Sequence, residues 1–273
     1  MALTHPCYSE SAHFRIFRIH LPVAPRCNIK CKYCDRKIGL NYHEMRPGVS
    51  DKIITPEAAF ELVDEFYKQK TYKEGVIGFA GPGEPLYNEE TIKTLELIYS
   101  KYPKAQLCLS TNGLLLDKYA DQLFALGIRY ITITINAIAP IIGKNIYNWI
   151  NYDHEKYYGF AAAKILIEKQ LSGLKKCVNL GILTKVNSVL IPQINDFHLY
   201  SISEKIKAIG AYIHNIMPLI PISQLNYIPA PDCNLLQQVR NQCEKVIPVF
   251  RLCKQCRADA YSIPGHENPN REV

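Results

Sequence analysis

Short apolar runs alternate along the chain with longer segments whose apolar residues recur every three to four positions. Residues 15–21 (RIFRIHL) alternate apolar and polar side chains, the period of a half-buried strand. Residues 55–70 open on Thr55-Pro56-Glu57, a cap with proline at the first helical position, and read as a helix. Strands are expected at 75–80, 106–110, 129–135, 182–190 and 211–217, and helices at 88–102, 118–126, 158–174 and 199–209. Six βα-type units in this order imply an α/β fold with a parallel sheet, either doubly wound or a full or partial barrel.

The residues after each strand are polar or glycine-rich: 27–34, then Gly81-Pro82-Gly83-Glu84, Ser110-Thr111-Asn112-Gly113, Asn136, Asn187-Ser188 and Asn215. In βα barrels the carboxyl ends of the strands build the active site, so these residues predict one central site. Ordinary turns are the alternative.

Composition narrows the class. An apolar share of 48 % over 273 residues excludes a disordered or collagen-like chain. No apolar run reaches the roughly 18–20 residues of a membrane span. The first fourteen residues hold charges and histidines rather than a secretory core, so a cytoplasmic location is expected. The net charge of +7 fits a solvated basic surface or attraction to an anionic cofactor or partner. No Lys/Arg block runs five or six residues, which argues against nucleic acid. The ten cysteines change the picture most. Cys27, Cys31 and Cys34 are too close together for a disulfide framework, and Cys253 and Cys256 form a CxxC pair, so the chain reads as a metalloprotein.

Cys27-Asn-Ile-Lys-Cys31-Lys-Tyr33-Cys34 comes just after the first expected strand. Three thiolates on one short loop can hold three irons of a [4Fe–4S] cluster and leave the fourth open to another molecule. Structural zinc would want a fourth ligand nearby. Spacing and place resemble the radical S-adenosylmethionine (SAM) enzymes, and Tyr33 before the last cysteine fits them too. The resemblance implies that Cys27, Cys31 and Cys34 carry the SAM-cleaving cluster. It also implies that Gly81, Gly83 and Glu84 lie by the SAM amino group, and that Ser110, Asn112, Asn136, Asn187 and Ser188 stand where SAM is contacted. Capped turns are the alternative for each.

Longer strings are more specific. His5-Pro-Cys7-Tyr-Ser-Glu-Ser-Ala-His13, His20-Leu-Pro-Val-Ala-Pro-Arg-Cys27, Arg46-Pro-Gly-Val49 and Ala80-Gly-Pro-Gly-Glu-Pro85 resemble the NifB family of nitrogenase cofactor maturases. So do Leu107-Cys-Leu-Ser-Thr-Asn-Gly113, Thr132-Ile-Thr-Ile-Asn-Ala137, Lys185-Val-Asn-Ser-Val-Leu-Ile-Pro192, His214-Asn-Ile-Met-Pro-Leu-Ile-Pro221 and Cys253-Lys-Gln-Cys256-Arg-Ala-Asp-Ala260. The resemblance implies a partial (β/α)6 radical SAM barrel with cluster-binding extensions. Its expected parts are an N-terminal extension at 1–14, a barrel core at 15–220, a C-terminal extension at 221–260 and a tail at 261–273, disordered from Gly265. It implies three [4Fe–4S] clusters, one resident and two as substrates. The substrate pair is fused with a carbide from a SAM methyl group and one sulfide into an eight-iron core.

The remaining cysteines suggest where substrate clusters would sit. Cys7, Cys253 and Cys256 could share one if the C-terminal segment folds over the barrel mouth, and His20 could join Cys108 on another. Simple burial is the alternative for each thiol, and a strand-end hydrogen bond for His20. Cys177, Cys233 and Cys243 read as buried structural thiols, and His13 as a weaker ligand candidate. Arg257 and Asp259 could hydrogen-bond a cluster or close the tail loop.

One stretch departs from the family. Members carry a further cysteine about six residues after the third loop cysteine; residues 36–46 have none and hold one residue more before Arg46-Pro-Gly. His43 could substitute. The loss also admits a diverged radical SAM enzyme with an auxiliary cluster and another substrate. Many members continue into a small carrier domain, and this sequence ends at Val273, so a separate cofactor carrier protein is expected. An iron–sulfur cluster donor and a ferredoxin- or flavodoxin-type electron donor are the other expected partners.

Overall fold

The computed structural model describes residues 5–40, 44–69 and 74–266. Six parallel strands stand side by side in chain order: β1 (Phe17–His20), β2 (Gly75–Phe79), β3 (Gln106–Thr111), β4 (Ile128–Thr134), β5 (Leu183–Leu190) and β6 (Ile213–Pro218). A seventh, β7 (Tyr261–Ser262), pairs antiparallel with β1 and covers that edge. Tyr261 and Ser262 are therefore sheet, not tail: Arg18 and Ile19 hold them in register. Residues 263–266 follow as a turn, with Pro264 buried and His266 N–H donating to Ile263 O (2.9 Å), so the disorder expected from Gly265 does not begin there; residues 267–273 lie outside the described residues. Helices α1 (Pro56–Gln69), α2 (Glu89–Lys101), α3 (Leu116–Ala125), α4 (Gly159–Asn179) and α5 (Leu199–Ile209) follow the first five strands, and α6 (Cys233–Glu244) packs on α5 and β6. This is the expected partial barrel, with every anticipated strand and helix present near its anticipated bounds.

The strand pleat sorts side chains to two faces. On β3, Leu107, Leu109 and Thr111 are buried on one face, while Gln106, Cys108 and Ser110 are half-buried on the other. The apolar faces join Ile19, Ile77, Ile131, Ile133, Val186 and Ile216 in one core with Leu95, Ile98, Leu116, Leu123, Leu174 and Ile202 of the helices. The opposite faces line the barrel interior.

A second sheet was not legible in the sequence. Ile29–Cys31 pairs antiparallel with Tyr147–Tyr152, which turns back into Glu155–Tyr158. The turn uses positive φ at Asp153 and His154 without a glycine, so it lacks the usual hairpin mark. This sheet holds the stretch carrying Cys31.

Candidate active site

Register builds the centre of the site. His20 on β1 lies beside Gly78 on β2, and Gly78 beside Cys108 on β3. Strands are spaced by about 4.8 Å, so the imidazole and the thiol stand about 10 Å apart at the backbone, with a residue between them that has no side chain. A Cβ on Gly78 would lie 3.1 Å from Cys108 Sγ and 3.4 Å from His20 Nε2, so both groups lean over the gap. A cavity of about 300 Å³ opens there. Its wall includes Cys7, Cys27, Cys31, Cys34, Cys108, Cys253 and Cys256 together with His20. Cys177 and Cys243 are buried in the core instead, whereas Cys233 at the start of α6 is exposed, contrary to the expectation of burial.

The Cys27–Cys34 loop is fixed from several sides. Gly83 N–H donates to Ala24 O (2.6 Å) and Glu84 N–H to Arg26 O (2.8 Å). A Cβ on Gly83 would fall 2.1 Å from Arg26 O, so only glycine lets the two loops meet. Asn112 Nδ2 donates to Asn28 Oδ1 (2.8 Å) within the cysteine loop. Burial pushes the Cys27 thiol up to about 11, and Cys31 and Cys34 also up, while the Arg36 guanidinium pulls all three back down. Among the described residues no three His, Cys, Asp or Glu side chains converge tightly enough for one ion. With metal–sulfur bonds near 2.3 Å, three thiolates on one zinc would stand within about 4 Å of one another. Cys27, Cys31 and Cys34 on one wall of the cavity are the donor set of a cluster with three protein ligands.

The residues expected to contact SAM divide into two sets. Tyr33, Gly83, Glu84, Ser110, Asn112 and Asn187 line the cavity. Glu84 is 3 % exposed and accepts from Leu86 N (3.2 Å), Thr111 Oγ1 (2.5 Å) and Asn112 N (2.6 Å). Burial pushes its carboxyl up to about 7. Gly81, Asn136 and Ser188 are not in the wall. Gly81 serves a turn at φ +119°. Asn136 is fully buried, donating from Nδ2 to Tyr33 Oη (2.9 Å) and accepting from Val189 N (2.8 Å), so it orients the tyrosine from behind. Ser188 is out of phase with Asn187, and the pleat turns it to the helix side, where its hydroxyl meets Ile135 O and His214 Nε2.

At the other end of the cavity, His20 Nδ1 donates to Arg257 O (2.9 Å), which leaves the Nε2 lone pair toward Cys108. Burial holds this imidazole at about 4, hence neutral and able to ligate near pH 7. Cys7 stands between the two expected groups. It packs with Cys253 against Tyr8, Ile213 and Phe250, and burial first and then the nearby Cys7 push the Cys108 thiol up. Arg257 and Asp259 close the tail: Arg257 donates to Asp259, to Leu40 O (2.9 Å) and to Glu44 O (3.0 Å), and Asp259 accepts from Asp51 N (2.6 Å). His13 is buried and bonds Pro6 O through Nδ1. His43 lies outside the described residues. Sequence reasoning missed His5 and Lys185, which also line the cavity. Lys185 had a signal, since it precedes Asn187 by two positions on β5 and so shares its face. His5 had none beyond lying two residues before Cys7.

Residues 21–206 match the Radical SAM superfamily. A curated relative from Methanocaldococcus jannaschii, the FeMo cofactor biosynthesis protein NifB, is 47 % identical over 263 residues, covering 95 % of this chain and 86 % of its own length. The chain belongs to the NifB family. The relative of the same name from Klebsiella pneumoniae is 45 % identical and is spanned over 58 % of its length. Among solved structures, Streptococcus suis SuiB superposes with a TM-score of 0.60 at 10 % identity, covering 86 % of this chain and 49 % of that one. A radical SAM methyltransferase from Sphaerobacter thermophilus gives 0.55 at 15 %, covering 86 % and 64 %. These two establish the shared barrel. For a NifB-family chain, the radical SAM assignment implies a [4Fe–4S] cluster and SAM. Cys27, Cys31 and Cys34, on one loop beside Tyr33 and Glu84, are the residues here that fit them. No helix among the described residues is long and apolar enough to cross a membrane.

Proposed function

We propose that this chain builds the iron–sulfur core of the nitrogenase cofactor: it joins two [4Fe–4S] substrate clusters with a SAM-derived carbide and one sulfide into an eight-iron product. The observation that carries this reading is the single cavity in which the three loop cysteines share a wall with Cys7, His20, Cys108, Cys253 and Cys256. Cys27, Cys31 and Cys34 would hold the resident cluster, which when bound would supply the electron for SAM cleavage. The chain's own residues do the rest by placement. Tyr33, Ser110, Asn112 and Asn187 line the SAM end, with Asn136 behind Tyr33. The barrel walls keep water from the 5′-deoxyadenosyl radical. His20 with Cys108, and Cys253 with Cys256, hold the substrate clusters on either side of Cys7. A cluster donor, a ferredoxin- or flavodoxin-type reductant and a carrier for the product complete the cycle.

The test is iron and acid-labile sulfide per chain after anaerobic reconstitution, then turnover with SAM labelled in its methyl carbon. Three clusters predict about 12 irons, and label must enter the iron–sulfur product. SAM cleavage with no label in that product overturns the reading. One observation favours a second reading, a radical SAM enzyme with one auxiliary cluster and another substrate: residues 36–46 carry no cysteine. That reading predicts about 8 irons and no transfer of methyl carbon.

A further inference from the structure

Two cavity residues outside the ligand set share a feature. Lys185 is only 4 % exposed, and the ion pairs among the described residues do not include it. Its Nζ makes one long hydrogen bond, 3.4 Å to Cys7 O, and lies 5.2 Å from the Tyr8 ring and 5.6 Å from the Phe250 ring. A buried ammonium with no counter-ion costs several kcal/mol of desolvation, which one long hydrogen bond and two ring faces offset only in part. Its charge is felt at His5, His20 and Cys108, the groups around the β1–β3 gap.

His5 is 3 % exposed and packs against Tyr8 (4.6 Å between rings) and Tyr130 (4.7 Å). Its Nδ1 accepts from Cys7 N–H at 3.0 Å. In a neutral imidazole the other nitrogen then carries the proton. That Nε2–H is buried and has no partner. The two cavity histidines are thus opposite tautomers. His20 turns a lone pair to the gap, as a ligand must, whereas His5 has only an N–H to offer.

We propose that Lys185 Nζ and His5 Nε2–H are the donors that receive the anionic sulfide face of the substrate cluster held at His20 and Cys108, beside Cys7. This rests on the function proposed above and gives that site its charge balance. Donors to cluster sulfur favour the reduced, more negative state and raise the potential. They would also hold the cluster where ligands from the protein are few, as residues 36–46 leave it.

The experiment uses the full chain with Cys27, Cys31 and Cys34 replaced by Ala, so that only auxiliary clusters give signals. Iron content and an EPR-monitored redox titration are compared for that background, K185M, K185R and H5F. The background is expected to hold about 8 irons. K185M is expected to bind iron but to make the cluster at His20 and Cys108 at least tenfold harder to reduce, a fall of at least about 59 mV for one electron. H5F should fall in the same direction, and K185R should stay near the background value. Equal potentials in K185M and the background, at equal iron, overturn the proposal. If K185M loses the cluster, retention by K185R supports the proposal and loss in both overturns it. A background without iron instead overturns the proposed function, and this inference with it.

Discussion

Gly78→Ala tests the site at its centre. The added methyl would stand 3.0 Å from His20 Cδ2, 3.1 Å from Cys108 Sγ and 3.4 Å from His20 Nε2. It fills the gap between the two groups read as ligands. Crowding of this size costs about 1–3 kcal/mol, against a gain of about 0.4–1 kcal/mol from the stiffer unfolded chain. The net loss of about 0–2.5 kcal/mol is smaller than the roughly 5–15 kcal/mol that holds a typical domain. The variant should therefore fold. Metal–ligand distances tolerate only about 0.2 Å, and a side chain pushed by several tenths of an ångström cannot meet that. Reconstituted G78A is expected to lose about 4 irons and to keep the SAM-dependent signal of the loop cluster. The assay is iron and sulfide content with EPR, beside a denaturant melt of the same preparation. Wild-type iron and an unchanged auxiliary spectrum would refute the argument that this gap holds a cluster.

Three further outcomes are expected. Glu84 has its folded pKa raised from 4.5 to about 7 by burial, so its contribution is full below pH 4.5 and lost as pH rises toward 7. The iron-free wild type should lose about 3 kcal/mol of stability across that window, and E84Q should not show that component in urea melts. Gly83→Ala would put Cβ 2.1 Å from Arg26 O and 2.8 Å from Ala24 O, both backbone. Its cost should exceed the roughly 1–3 kcal/mol of ordinary overpacking, with loop-cluster iron lost and thermal unfolding early. Arg257→Met would strand buried Asp259 and release the carbonyls of Leu40 and Glu44; a loss of about 3–5 kcal/mol is expected, with limited proteolysis cutting first within residues 35–51.

Features that a single strand or loop can specify are the ones the chain shows before it folds. Cys27, Cys31 and Cys34 are legible in the sequence because three cysteines within eight residues need only a loop. The six strands are legible because each is a short apolar or β-branched run bounded by turn residues, buried on both faces at Gly75–Phe79 and alternating at Gln106–Thr111; the pleat also puts Lys185 on the face of Asn187. It also turns Ser188 away from the cavity, so a residue next to Asn187 could not share its role. Ile19 and Tyr261 show the opposite case: nothing local marks residues 261–262 as sheet, since their partner strand lies more than 240 positions earlier. The row His20, Gly78, Cys108 joins three strands, and register alone makes a gap of it. Which nitrogen each histidine offers was also decided by distant backbone, Arg257 O for His20, and by the local turn at Cys7 for His5. Sequence thus determined the fold class, the CxxxCxxC loop and most of the cysteines that line the cavity, because these arise from short-range pattern. Tertiary structure alone decided which groups face one another, because strand register and tail closure bring together residues that no short-range pattern links.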